Sequence, residues 1–334
     1  MLEVNNVCVS FRSERQEKIF GTARNQVLFD VSLKVSQGTC LGILGESGSG
    51  KSTLGRVICG LLKPDTGEVK IQDVSVYASR NGRKNLQKRL SVVFQDYTTS
   101  ANPRFRVKEI IAEGLAARER NQKIRLNRLE EINRLLELVG LNSSYANRYP
   151  HELSGGMRQR VMIAMALACE PKILIADEPT TALDVTTQAD IMELIRELQE
   201  KMGTSVILVT HDLGIAAEVG DRIQVMYAGE IIETGTKSEI FKKAVHPYTW
   251  ALMKSVPSAQ SQTEEKLYSL KGTPPDLIAP PKACAFAPRC EYCMGICRRL
   301  HPVMAAESES HSAGCWLMHP DAPKPERLGK GGTI

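Results

Sequence analysis

The chain has 334 residues, 43 of them basic and 38 acidic, a formal net charge of +5, 42% hydrophobic residues and 5% aromatic ones. That length buries a large core and leaves room for more than one domain, while the mild charge, with no block of Lys and Arg interleaved with aromatics, gives nucleic-acid binding little support. The longest apolar segment, residues 161–169, falls far short of the roughly 18–20 residues that span a bilayer, and no charged-then-apolar signal opens the chain, so a cytoplasmic location is expected.

Residues 2–11 and 27–35 alternate apolar and polar side chains. Two strands are predicted there, antiparallel in the simplest arrangement and joined by a polar insert over 12–26. Phe11 ends the first strand, where its ring suits either a nucleotide base or the core. The apolar run 39–44 has strand length, and 52–59 carries apolar residues at helical spacing up to Gly60. Between them Gly45-Glu46-Ser47-Gly48-Ser49-Gly50-Lys51-Ser52 fits G-x-x-x-x-G-K-[ST], with the strand before and the helix after that a phosphate-cradling loop requires. Gly45, Gly48 and Gly50 are expected to take positive φ, so that consecutive N–H groups face an anion. Lys51 adds a point charge, and Ser52 offers a hydroxyl to Mg2+ at the positive end of the helix.

A turn over 63–67 feeds a strand over 68–71, and a basic helix over about 83–89 leads into an apolar strand over 90–94. Gln95 stands where that strand ends, and an amide there can ligate Mg2+ or hold a water. Helical patterns over about 107–117, 126–139 and 155–169 form a block inserted between strands, with the basic stretch 118–128 as a solvated face. Ser154 is placed to cap the third of these helices, and Gly155 and Gly156 strip side chains from its first turn. This is a second bare helix N-terminus suited to phosphate.

Residues 171–176 are continuously apolar, as a central parallel strand requires, and lead into Asp177-Glu178-Pro179. Alternation along a strand points the two acids in different directions. Asp177 then suits the Mg2+ shell, and Glu178 suits polarising a water. Asp184 precedes a helix over 187–202, and a buried strand over 204–210 ends at His211. Polar groups gathered at the carboxyl ends of apolar strands are how a parallel α/β sheet assembles a nucleotide site.

From Val245 onward the chain turns Pro-rich and periodicity fades. Of the nine cysteines, Cys8, Cys40, Cys59 and Cys169 lie singly in apolar patterns, as small buried hydrophobes. The other five fall between Cys284 and Cys315. Disulfides do not suit a reducing compartment, so Cys284, Cys290, Cys297 and Cys315, with Cys293 as an extra, read as a metal site or as free thiols. Their C-x5-C-x6-C-x17-C spacing lacks the paired knuckles of a zinc ribbon.

Six motifs in order make residues 2–240 resemble the ATPase subunits of ABC transporters. By that resemblance residues 45–52 are the Walker A loop, Gln95 the Q-loop and 153–159 the signature, in which Met157 replaces the commoner Gln. Residues 173–177 are Walker B, Glu178 the catalytic carboxylate, 182–184 the D-loop, His211 the switch histidine and Phe11 the base-stacking aromatic. Asn102-Pro103-Arg104, residues 157–167 and 225–229, His246-Pro247-Tyr248-Thr249 and the tail narrow the resemblance to the oligopeptide, dipeptide and nickel importers.

The resemblance implies an α/β fold: a P-loop core with a parallel sheet, an N-terminal antiparallel β subdomain, a helical subdomain inserted over about 105–170 and a small Cys/Pro-rich extension. Residues 1–240 would form the ATPase domain and 241–334 the extension. ATP would be held by Phe11, Gly45, Glu46, Ser47, Gly48, Ser49, Gly50, Lys51, Ser52, Thr53, Gln95, Asp177 and Asp184, with Ser154, Gly155 and Gly156 supplied by a second chain set head to tail. Ser52, Gln95 and Asp177 would hold Mg2+, Glu178 and His211 would be catalytic, and Cys284, Cys290, Cys297 and Cys315 would hold a [4Fe–4S] cluster. The implied partners are a second ATPase subunit, self or paralogue, two membrane permease subunits and, indirectly, an extracellular substrate-binding protein. The chain would work at the cytoplasmic face of the membrane on peptide or nickel import. A soluble ABC-type ATPase acting on a nucleic-acid or ribosomal partner is the competing class; such proteins normally carry a long coiled-coil insert or two cassettes, and neither is present.

Overall fold

The computed structural model describes residues 1–17, 22–95, 101–181, 183–255, 270–275 and 282–325. Elements are numbered in chain order. Strands β1 (Leu2–Glu17) and β2 (Thr22–Val35) pair antiparallel out to Glu17 and Thr22. The described parts of the expected polar insert, residues 12–17 and 22–26, are therefore the outer length of this paired ribbon. Its charged sequence has no apolar face, so periodicity does not register an arm held by backbone pairing. Strand β4 (Thr66–Ile71) pairs with β1 and with β5 (Val74–Ser75), which completes a four-stranded antiparallel sheet.

A second sheet has a parallel centre in the spatial order β9 (Arg222–Tyr227), β3 (Cys40–Leu44), β8 (Ser205–Thr210), β7 (Ile173–Asp177) and β6 (Leu90–Val93). Beyond β9 it continues antiparallel through β10 (Glu230–Thr236), β12 (Ser312–Ala313) and β11 (Ala305–Ala306). Every residue of β3 and β8 is buried, as a strand covered on both faces must be. Alternation divides the side chains between two cores. Leu174, Ala176, Val206 and Leu208 join the core under the helical block, whereas Ile43, Ile173, Ile175, Ile207 and Val209 face the antiparallel sheet and helix α1 (Lys51–Ile58).

Parallel register then sets the strand ends in one row. Leu44 is level with Thr210, Asp177 with Val209 and Val93 with Ala176. Gly45, His211, Glu178 and Gln95, which come just after these strands, therefore emerge along a single edge.

Helix α2 (Arg80–Gln87) begins earlier than predicted because Ser79 caps it, its Oγ accepting the Gly82 N–H at 3.1 Å. The inserted block comprises α3 (Val107–Gln122), α4 (Arg128–Leu138) and α5 (Gly155–Leu167), which share a core of Ile110, Ile111, Leu115, Leu135, Leu136 and Ile163. Helices α6 (Val185–Met202), α7 (Leu213–Val219) and α8 (Lys237–Lys243) follow. Where sequence periodicity fades, α9 (Pro247–Lys254) nevertheless forms, with Pro247 in its first turn and His246 as its cap. Among the described residues no helix is long and apolar enough to cross a membrane.

Candidate functional site

The phosphate loop leaves β3 at Gly45 and enters α1 at Lys51. Gly48 and Gly50 have φ of 81° and 103°, the left-handed conformation expected of them. Gly45 does not share it. A Cβ at Gly45 would instead collide with the Met226 carbonyl oxygen of β9, so close approach of two backbones requires the glycine. The Ser49 hydroxyl is buried without a hydrogen-bond partner, an arrangement that a bound phosphate oxygen would satisfy. Lys51 is 4% exposed, and its Nζ donates to the carbonyl oxygens of Gly45 and Glu46 at 2.7 and 2.9 Å. Burial lowers its pKa, while the charges of Glu178, Asp177 and Glu46 pull it back up.

At the end of β7 the Asp177 carboxylate accepts from Ser52 Oγ at 3.4 Å. Burial, and then the charge of Glu178, raise its pKa; a divalent cation beside it would reverse both effects. Glu178 has φ 48°, and its N–H donates to the Val209 carbonyl at 2.8 Å. The left-handed turn ends the strand and sends the two acids apart. Glu178 Oε1 lies 3.0 Å from Nδ1 of His211 at the end of β8, and Oε2 accepts from Thr181 Oγ1 at 3.2 Å. Gln95 stands exposed two residues past β6, on the strand beside β7. Phe11 is 41% exposed on β1, so of the two uses its ring suits, core packing is not the one adopted.

Ser154 caps α5, its Oγ accepting the Met157 N–H at 3.3 Å. A Cβ on Gly156 would lie 2.5 Å from Thr187 Cγ2, so this glycine also serves the seating of α5 against α6. Asp184 caps α6 and accepts from the N–H and Oγ1 of Thr187 at 3.0 and 2.8 Å, bonds that hold its pKa low. The Ser154 turn and the Asp184 turn are thus one packed unit. Ala182 of the expected D-loop lies outside the described residues. Among the described residues no hydrogen bond joins Ser154, Gly155 or Gly156 to residues 45–52 of the same chain.

In the tail, Cys284, Cys290, Cys297 and Cys315 are free thiols. Burial pushes Cys284 up to about 11 and Cys290 and Cys315 up to about 12, and Cys315 lies within electrostatic range of the other three. Cys293 turns aside, its Sγ donating to the Met294 carbonyl at 3.6 Å. Among the described residues no group of three or more His, Cys, Asp or Glu is arranged to hold a metal ion. Of the four single cysteines, Cys40 is fully buried, whereas Cys8, Cys59 and Cys169 are only half-buried.

Two contacts of the phosphate loop are invisible to sequence pattern. The Glu46 carboxylate is paired with Arg289, and the Glu46 N–H donates to the Tyr248 hydroxyl at 3.0 Å. Partners more than 200 positions away leave no local signal. The one available hint is an acid inside an anion-binding loop, which needs a basic partner.

The family described as ABC transporter matches residues 28–181, and the oligopeptide/dipeptide transporter C-terminal region matches residues 232–297. The chain is 46% identical to the oligopeptide transport ATP-binding protein OppD of Bacillus subtilis (strain 168), over 98% of this chain and 91% of that protein. It is 43% identical to the dipeptide transport ATP-binding protein DppD of the same organism, over 95% of this chain and 94% of that one. Among solved structures, a dimeric post-hydrolysis state of the ATP-binding cassette MJ0796 bound to ADP and Pi superimposes with a TM-score of 0.62 at 31% identity, covering 71% of this chain and 99% of that one.

Proposed function

Because the chain belongs to the ABC transporter family, as one of its ATP-hydrolysing subunits, we propose that it energises peptide import from the cytoplasmic face of the membrane. The observation that carries this reading is that Lys51, at the start of the helix behind β3, lies within electrostatic range of Asp177 and Glu178 at the end of β7, and Glu178 pairs with His211 at the end of β8. Lys51 and the loop N–H groups bind the phosphates of ATP, with Phe11 against the base. Ser52, Gln95 and Asp177 take the accompanying Mg2+, and Glu178, oriented by His211, polarises the attacking water. Ser154, Gly155 and Gly156, which among the described residues make no hydrogen bond to their own phosphate loop, cover the nucleotide of a second ATPase subunit, and Asp184 moves with them. Closure on ATP and reopening after hydrolysis drive two permease subunits through the surface around 101–104 and the helical block; residues 96–100 lie outside the described residues. Residues 1–240 act as the ATPase domain and 241–334 as the extension. Substituting Glu178→Gln should lower turnover by about 10²–10⁴-fold while ATP-bound dimers persist on a sizing column. Unchanged turnover would remove Glu178 from the mechanism.

Peptide is the cargo favoured by the names of the relatives above. Nickel, expected alongside it, finds no such support, and neither does the soluble alternative, because relatives matched over nearly the whole chain are transport proteins. The four tail thiols do not close on a single ion, and the cluster reading rests on their C-x5-C-x6-C-x17-C spacing. Cys284, Cys290, Cys297 and Cys315 would hold a [4Fe–4S] cluster, which when bound supplies a redox-active centre. Iron and acid-labile sulfide in anaerobically purified protein would support this; zinc, or no metal, would overturn it.

A further inference from the structure

Glu46 is held from both ends of the residue. Its N–H donates to Tyr248 Oη at 3.0 Å, and its carbonyl oxygen accepts from the Ser49 N–H at 3.2 Å and from Lys51 Nζ at 2.9 Å. Its carboxylate meets the Arg289 guanidinium end-on, accepting from Nη1 at 2.7 Å and from Nη2 at 3.1 Å. Such a two-pronged pair fixes direction as well as charge. Arg289 is itself fixed. Its side chain is 5% exposed, its Nε donates to the Lys271 carbonyl at 3.0 Å, and its guanidinium lies 5.8 Å over the Tyr227 ring. Tyr227, Tyr248 and Phe286 pack with ring centroids 4.6–5.4 Å apart beneath this pair.

Charge explains why the pair matters. The Glu46 carboxylate is close enough to act on the Lys51 ammonium. Left bare, it would compete for that lysine and repel a triphosphate entering the loop. Pairing with Arg289 offsets that charge. We propose that Arg289, with Tyr248, is a positioning residue for nucleotide binding: the C-terminal extension braces the phosphate loop and neutralises the acid within it. This rests on the reading of residues 45–52 as the ATP site. Arg289 immediately precedes Cys290, so the fold of the cysteine segment and the brace stand or fall together.

The test is a titration of the full-length chain with a fluorescent ATP analogue and Mg2+, checked for folding by thermal melting. Arg289→Ala should weaken binding about tenfold, the scale of a like charge left beside a bound anion. Glu46→Gln removes the charge while keeping the shape, and its own affinity is the reference against which the double variant is read. The double variant Arg289→Ala/Glu46→Gln should recover most of the loss, which a merely structural arginine would not allow. Wild-type affinity in Arg289→Ala, or a double variant as weak as the single one, overturns the brace. If Arg289→Ala does not fold, Arg289→Lys decides. Lysine keeps the charge without the fork and should bind within about threefold of wild type; a loss of about tenfold or more with the charge retained refutes the charge argument. A wild-type chain that binds no nucleotide overturns the ATP-site reading instead, a failure distinct from that of the brace.

Discussion

Glu178 holds a backbone conformation, φ 48°, that costs a residue with a side chain about 1–3 kcal/mol. The strain is tied to chemistry, since this turn is what parts the carboxylate aimed at His211 from the one aimed at Ser52. Alternation along a strand predicts the same separation, but β7 stops at Asp177, so the backbone turn and not the pleat delivers it. Glycines divide in a similar way. Gly48 and Gly50 are needed for φ, whereas Gly45 and Gly156 are needed for what stands opposite them, and sequence alone does not tell these reasons apart. Gly156 offers a direct test. Overpacking by one methyl group typically costs about 1–3 kcal/mol, so Gly156→Ala should lower ATP turnover about tenfold by levering α5 off Thr187. Adding Thr187→Ser deletes the methyl it would strike and keeps the hydroxyl that Asp184 accepts from, and should restore most of the activity in a steady-state assay. No recovery would mean that the glycine matters only to the nucleotide.

The C-terminal extension is clasped to the core by acids on β10 and α8. Glu233 is 0% exposed, accepts the N–H groups of Val245 and His246, and lies 2.8 Å from His311 beside β12. His246 itself is neutral, driven down to about 4 by burial, which leaves Nδ1 free to accept the Tyr248 N–H that starts α9. Glu239 ties the hairpin of β11 and β12 by accepting from Ser308 and Ser310 at 3.0 and 2.6 Å, besides capping its own helix from Thr236. Those bonds, Ser310 foremost, hold its pKa at about 2 against an ordinary 4.5. A depressed carboxyl adds stability that is fully present above its unfolded value and lost as pH falls through its folded one. Glu239→Gln should therefore melt a few degrees below wild type at neutral pH, with the gap narrowing from about pH 4.5 toward about 2. A gap that stays constant over that range would show that the carboxylate charge contributes nothing. None of this clasp was legible in the sequence. Strands β3, β7 and β8 announce themselves as continuous apolar runs, but β11 and β12 are two residues each and owe their existence to a partner strand far away in the chain. Pro247 and His246 read as the start of a Pro-rich tail because a proline that breaks a helix and one that opens it look alike without the cap.

For the whole molecule, the decisive feature is that the parallel sheet separates the two anion-binding turns. Helix α1, behind the phosphate loop, packs into the core on one face of the sheet, and α5, behind Ser154, into the core on the other. One chain thus presents two turns that it does not bring together, the arrangement that the proposed second subunit would complete. On the helical side, residues 101–106 lead into α3. At that junction Ala101, Pro103, Val107, Ile110, Pro150 and Met162 line a largely apolar cavity of about 130 Å³. In the proposed coupling to a permease, this groove between residues 101–103 and the block carrying Ser154 is where movement of one against the other would act on a docked segment. Ala101→Glu would set a carboxylate among the apolar residues of that groove, near His151 and Arg158, and desolvating it on docking opposes binding of an apolar segment. The permease pair should then fail to co-purify with the variant from membranes, while the isolated chain, in which Ala101 is partly buried against the core, still melts in one transition a few degrees below wild type. Co-purification at the wild-type ratio would move the docking surface elsewhere on the molecule.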